Sequence, residues 1–164
     1  MVLIISKNIN LEWHEKLAKD CFNKTWELLE KPDRTHEEEI EMVHTVHTSR
    51  YHWGIMVDNK LGTPLNLQRG EWQIARVYTV LMRKEPALYH ANVCLDITKE
   101  YNIGDFDLAF AYEAIARASA LAGKSEDYKS YLKLAKEAGE KIKNKEDRDY
   151  FFEELNGGNW FVKK

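Results

Sequence analysis

The chain is poor in the residues that punctuate or staple a fold. Across 164 residues there are two cysteines, three prolines and eight glycines. Cys21 and Cys94 are isolated and show no CxxC spacing, which argues against a metal cage and against a redox pair. No apolar run approaches the roughly 20 residues that cross a bilayer, and "MVLII" at the start has no preceding cationic region and is too short for a signal peptide. A reduced, cytoplasmic setting without membrane contact is therefore expected. A net charge of −3 supplies no general pull toward nucleic acid, and no basic stripe compensates for it. Strand patterning is nearly missing as well, with Val2–Ile5 the lone candidate. There is no nucleophile elbow, glycine-rich phosphate loop or paired-carboxylate spacing, so no catalytic residues and no cofactor are assigned.

What remains is helical periodicity broken by short turns. A first helix is expected from Leu11 to Glu30, stopping before Pro32. A second opens on Thr35, with Glu38 three places later as the partner in a capping box, and closes at Gly54 ahead of a loop to Leu61. Thr63-Pro64 starts the third, because proline in the first turn loses no hydrogen bond, and it runs to about Met82. Pro86 opens the fourth, "NIGD" at 102–105 separates it from the fifth, Gly123 closes the fifth, and Ser125-Glu126-Asp127 caps the sixth. A short aromatic helix, Asp147–Leu155, completes about seven.

The chain also repeats itself. "EWQIARVY" at 71–78 and "YEAIARAS" at 112–119 share Ile-Ala-Arg at an offset of 41 residues, and the same offset pairs Glu85 with Glu126 and Ala91 with Leu132 in the following helices. Self-similarity at a period of about 20–50 residues, two helices per unit, is the signature of a helical-hairpin solenoid. Ala75, Tyr78, Met82, Ala87, Ala91 and Cys94 in one unit, and Ala116, Ser119, Gly123, Tyr128, Leu132 and Ala135 in the next, resemble the tetratricopeptide-repeat family. The resemblance spans Arg69 to Ile142. It departs from the family in a period longer than the usual ~34 residues and in lacking the proline that ends each unit.

It implies an all-α, right-handed stack of antiparallel hairpins. The divisions are an atypical N-terminal hairpin (1–61), repeat-like hairpins (63–104 and 105–145), a capping helix (147–155) and a flexible tail (156–164).

A period of 3.6 splits the third helix into an apolar stripe of Ile74, Ala75, Tyr78, Leu81 and Met82 and an opposite face of Arg69, Trp72, Arg76 and Thr79. The fifth divides the same way, with Phe110, Glu113, Arg117 and Ala120 on the second face. In the family that face lines the concave groove, so the resemblance places Arg69, Trp72, Arg76, Glu113 and Arg117 in one shared hollow. Arginine forks suit carboxylates, and Trp72 between two arginines suits an apolar or aromatic side chain. The competing reading is that Glu113 merely pairs with Arg117 one turn along, or with Arg76 on the adjacent helix.

"EMVHTVHTSRYHW" at 41–53 concentrates half of the six histidines. His44, His47 and Tyr51 share a helix face on which they are either hydrogen-bonded, half-buried groups of an internal helix or contribute His47 and Tyr51 to the groove wall; His52 falls well round the helix. Glu41-x-x-His44 is half of a di-iron bundle motif, but no second copy is found on a helix: the residues three before His14, His47, His52 and His90 are not acidic, and Asp33 before His36 sits in the inter-helix turn.

The expected function is a non-enzymatic protein- or peptide-binding module. The alternative is a metal-binding bundle built on Glu41, His44, His47 and Glu113. "DYFFEEL" at 149–155 reads as the cap that shields the last repeat, with a homodimer contact as the second option. Trp160-Phe161 is either a self-docking peptide or a partner anchor.

Overall fold

A computed structural model of the protein describes residues 10–161. The Val2–Ile5 expectation lies outside them. Seven helices follow one another without a strand among the described residues: α1 (Leu11–Glu30), α2 (His36–Asp58), α3 (Pro64–Val80), α4 (Lys84–Glu100), α5 (Asp105–Leu121), α6 (Ser125–Gly139) and α7 (Lys145–Asn156). Each packs mainly on its chain neighbours, α3 also reaches α5, and α7 returns to α5, giving a stack of helical hairpins. No described helix is long and apolar enough to cross a membrane.

The helix starts are written in the sequence. Asn10 Oδ1 accepts from Trp13 N at 3.2 Å to cap α1, and Thr35 and Glu38 form the reciprocal capping box of α2. The repeat is exact at the helix starts: shifting α3 and α4 by 41 residues lands on the first residues of α5 and α6. The C-termini of α3 and α5 match too. Met82 and Gly123 both take positive φ (59° and 73°), and the residue after each donates to the carbonyl five positions back, Arg83 N to Tyr78 O at 2.8 Å and Lys124 N to Ser119 O at 2.9 Å. This Schellman-type closure makes the two hairpins turn alike.

It also corrects two expectations. Met82 is not part of the apolar stripe; as the left-handed closing residue it swings out and is 59% exposed. Gly54 does not end α2, which runs on to Asp58 and closes through Lys60 in the left-handed region, with Leu61 N on Met56 O at 2.9 Å.

Three apolar clusters hold the stack. Leu28, Met42, Val46, Ile74 and Val77 join α1, α2 and α3. Alanines and Cys94 at the α3–α4–α5 junction, with Ile115 and Leu95, form the middle cluster. Ala109, Phe110, Ala135, Ile142, Phe151 and Leu155 seal α5 under α6 and α7. Helix α5 is buried over nearly all its length because small residues let neighbours approach from every side.

Candidate functional site

The first face of α3 carries Gln68, Arg69 and Trp72, one turn apart, toward a surface cavity of about 160 Å³. Phe22 and Trp26 of α1, Phe106, Asp107 and Phe110 of α5, and Tyr150 of α7 complete its wall. The rings are in mutual contact: Trp26 to Trp72 at 5.6 Å between centroids, Trp72 edge-on to Phe110 at 5.5 Å, and Phe106 against Phe110 at 4.7 Å and Tyr150 at 6.3 Å. Offset and edge-to-face pairs of this kind hold a rigid apolar wall.

One polar clamp borders it. Arg69 Nε and Nη2 donate to the two carboxylate oxygens of Asp107 at 2.7 and 3.0 Å, and Gln68 Nε2 donates to the Asp107 carbonyl at 3.1 Å. Gln68 Oε1 and Trp72 Nε1, in the same wall, are buried without a partner among the described residues. Each such group costs about 1–3 kcal/mol until something satisfies it.

Arg76, Glu113 and Arg117 meet in a buried ion-pair cluster, the competing reading, and not in an open groove. Arg117 Nε donates to Glu113 Oε1 at 2.5 Å, and Arg76 reaches Glu113 at 3.7 Å and Glu154 at 2.9 Å. The remaining Arg117 donors reach the backbone carbonyls of Glu154, Gly157 and Asn159 at 3.0, 3.3 and 3.2 Å, while its guanidinium lies 4.0 Å from the Trp160 ring centroid. Trp160 Nε1 in turn donates to Leu155 O at 3.0 Å. Helix α7 and the strap to Phe161 thus fill the hollow at this end. The expected flexible tail is docked through Trp160, because a buried guanidinium needs acceptors for its donors. Gly158 is required there: φ is +69°, and a Cβ would sit 2.8 Å from Arg117 Nη1.

His47 and Tyr51 lie elsewhere, with Val43, His44, Thr48 and His52 along an open hollow on α2 of about 590 Å³. His47 Nε2 bonds the Tyr78 hydroxyl at 2.9 Å, and Tyr78 stacks on His90. His90 Nδ1 bonds Glu71 Oε2 at 2.6 Å, and Arg50 Nε donates to Glu71 Oε1 at 2.7 Å. Burial pushes the Glu71 carboxyl up, but the bond from His90 and the Arg50 charge outweigh it and hold the group below its ordinary range. Burial, aided by His90, pushes the His47 imidazole down. Burial likewise raises the thiol of Cys94, a structural core residue.

The alternative set Glu41, His44, His47 and Glu113 does not assemble. Glu113 is engaged by Arg76 of α3 and Arg117 of α5, and no three His, Cys, Asp or Glu side chains among the described residues gather to hold a metal ion.

Of the predicted residues, Arg69 and Trp72 therefore open onto the aromatic cavity, Arg76, Glu113 and Arg117 anchor the C-terminal strap, and His47 and Tyr51 sit on the α2 hollow. Sequence reading missed Phe22, Trp26, Phe106, Asp107 and Tyr150. The i,i+4 aromatic pairs Phe22–Trp26 and Phe106–Phe110 were the available signal; their convergence across four helices was not. No family model, curated protein or solved structure matches the chain.

Proposed function

We propose that the protein is a non-enzymatic peptide-binding module of tetratricopeptide-like build, which takes one bulky apolar or aromatic side chain of a partner into the cavity between α1, α3, α5 and α7. The observation that carries the reading is the cavity itself: six aromatic rings around a space of about 160 Å³, with a bidentate Arg69–Asp107 clamp at the edge. A void of about 150 Å³ lined by apolar side chains accommodates a benzene-sized group, and rigid aromatic walls are where interface hot spots concentrate. Arg69 disfavours a cationic guest, and Asp107 is already neutralised by it, so the favoured guest is uncharged at its tip. A tyrosine or tryptophan side chain adds a polar edge that can supply what Gln68 Oε1 and Trp72 Nε1 lack. A carboxylate next to it on the partner can share the Arg69 fork.

Selection from a random peptide display library tests this directly. Enriched peptides are expected to share one large aromatic residue and to lose binding to Tyr150→Ala. Tyr150 is 44% exposed, so its removal disturbs the wall with little loss of fold. Enrichment without an aromatic preference, or binding indifferent to Tyr150→Ala and Arg69→Glu together, would end the proposal.

A further inference from the structure

Outside the aromatic cavity, two histidines that lie 38 positions apart in the chain turn their rings on each other. His14 on α1 and His52 on α2 bring their Nδ1 atoms to 2.6 Å, with ring centroids 4.8 Å apart and planes at 48°. This is the only polar side-chain contact either ring makes among the described residues. A neutral pair meets with one Nδ1–H donating to the other Nδ1, at a separation short for nitrogen partners.

We propose that His14 and His52 form a binding site for a divalent transition-metal ion of imidazole preference: Cu²⁺, Ni²⁺ or Zn²⁺. Two nitrogens bound at about 2.0–2.1 Å in a tetrahedral arrangement stand about 3.4 Å apart, so side-chain adjustment of under about 1 Å admits the ion. The helices need not move. They are fixed beside the pair by Ser49 Oγ on Ala18 O at 2.8 Å and, further along, by Thr25 Oγ1 on Thr45 Oγ1 at 2.9 Å. Two protein ligands make an open site. The remaining positions go to water or to a donor carried by a partner lying in the adjacent α2 hollow, whose wall includes His52 and Tyr51. The absence of a carboxylate in the pair disfavours Mg²⁺ and Ca²⁺, and the Irving–Williams order puts Cu²⁺ first. This site is independent of the peptide reading.

The test uses the full chain with no affinity tag, titrated with Cu²⁺ by calorimetry and electron paramagnetic resonance. One equivalent is expected to bind with nitrogen splitting from two imidazoles, and Zn²⁺ is expected to raise the melting temperature. His14→Ala and His52→Ala should each abolish both effects, with circular dichroism unchanged, while His36→Ala on the far end of α2 should leave them intact. No binding, or binding that survives His14→Ala or is removed by His44→Ala instead, would overturn the assignment. If a variant fails to fold, the wild-type spectrum decides: fewer than two coordinated imidazoles rejects the site.

Discussion

Arg76 and Arg117 occupy equivalent positions of the two repeats and both reach the same carboxylate, Glu113, at 3.7 and 2.5 Å. Only Arg117 is fully withdrawn from solvent, because α7 and the strap close over it. Repeat symmetry therefore sets the positions of the two arginines, and the C-terminal segment makes their environments differ.

Removing one member of the buried Glu113–Arg117 pair leaves a charge without a partner. Glu113→Gln is expected to destabilise the protein by about 3–5 kcal/mol in chemical denaturation, and Glu113→Gln with Arg117→Met to recover part of that loss. A single-variant cost below about 1 kcal/mol would show that the pair is solvated.

The strap should behave as part of the fold. Truncation after Asn156 removes the Gly157 and Asn159 carbonyls and the Trp160 ring from Arg117. The melting temperature is expected to fall and amide exchange in α7 to rise. Exchange in α7 unchanged from the full chain would mean that the strap is not holding it.

Gly139→Ala pits two effects against each other. Helix propensity favours alanine by about 1 kcal/mol. The new Cβ, however, lies 2.6 Å from Phe151 Cδ1 and 3.1 Å from Phe152 Cζ, both on α7. Overpacking typically costs about 1–3 kcal/mol, so net destabilisation is expected in thermal melts, and a stabilised variant would contradict the close contact.

Arg69→Gln, which removes the charge without setting a second carboxylate against Asp107, should separate binding from stability. The Arg69–Asp107 pair is half in solvent and contributes at most about 1 kcal/mol. The variant is expected to melt close to the wild type while losing affinity for selected aromatic peptides. Equal affinity would remove Arg69 from the site.

Acid should weaken the α2 region first. The imidazoles of His47 and His52 are both held below their ordinary range by burial, with His90 and His14 respectively adding to it. The folded state therefore binds fewer protons than the unfolded chain, so this stability is present above about pH 6.5 and is lost as pH falls through the histidine range. Glu71, also depressed, acts in a lower window, below the ordinary carboxylate range. His47→Gln is expected to flatten the melting curve's dependence between about pH 7.5 and 5.5. An unchanged slope would place the titration elsewhere.

Helix number, most helix starts and the 41-residue repeat were legible because they rest on local chemistry: a capping box at Thr35, proline at the head of α3, Ile-Ala-Arg recurring in phase. The end of α2 was misread because Gly54 looks like a terminator and Lys60, which does the closing, does not. Arg69 and Trp72 share the face of α3 that lines the aromatic cavity, and a period of 3.6 alone assigns faces.

What no periodicity could reveal is which faces meet. The sequence by itself determined an all-helical chain with two superposable hairpins, because hydrogen bonding and apolar spacing within one turn suffice to specify them. Tertiary structure alone decided that α7 and its strap fill the arginine end of the hollow, that rings from four helices enclose the other end, and that His14 meets His52. Such pairings depend on packing between residues far apart in the chain, where burial of whole faces outweighs any local preference.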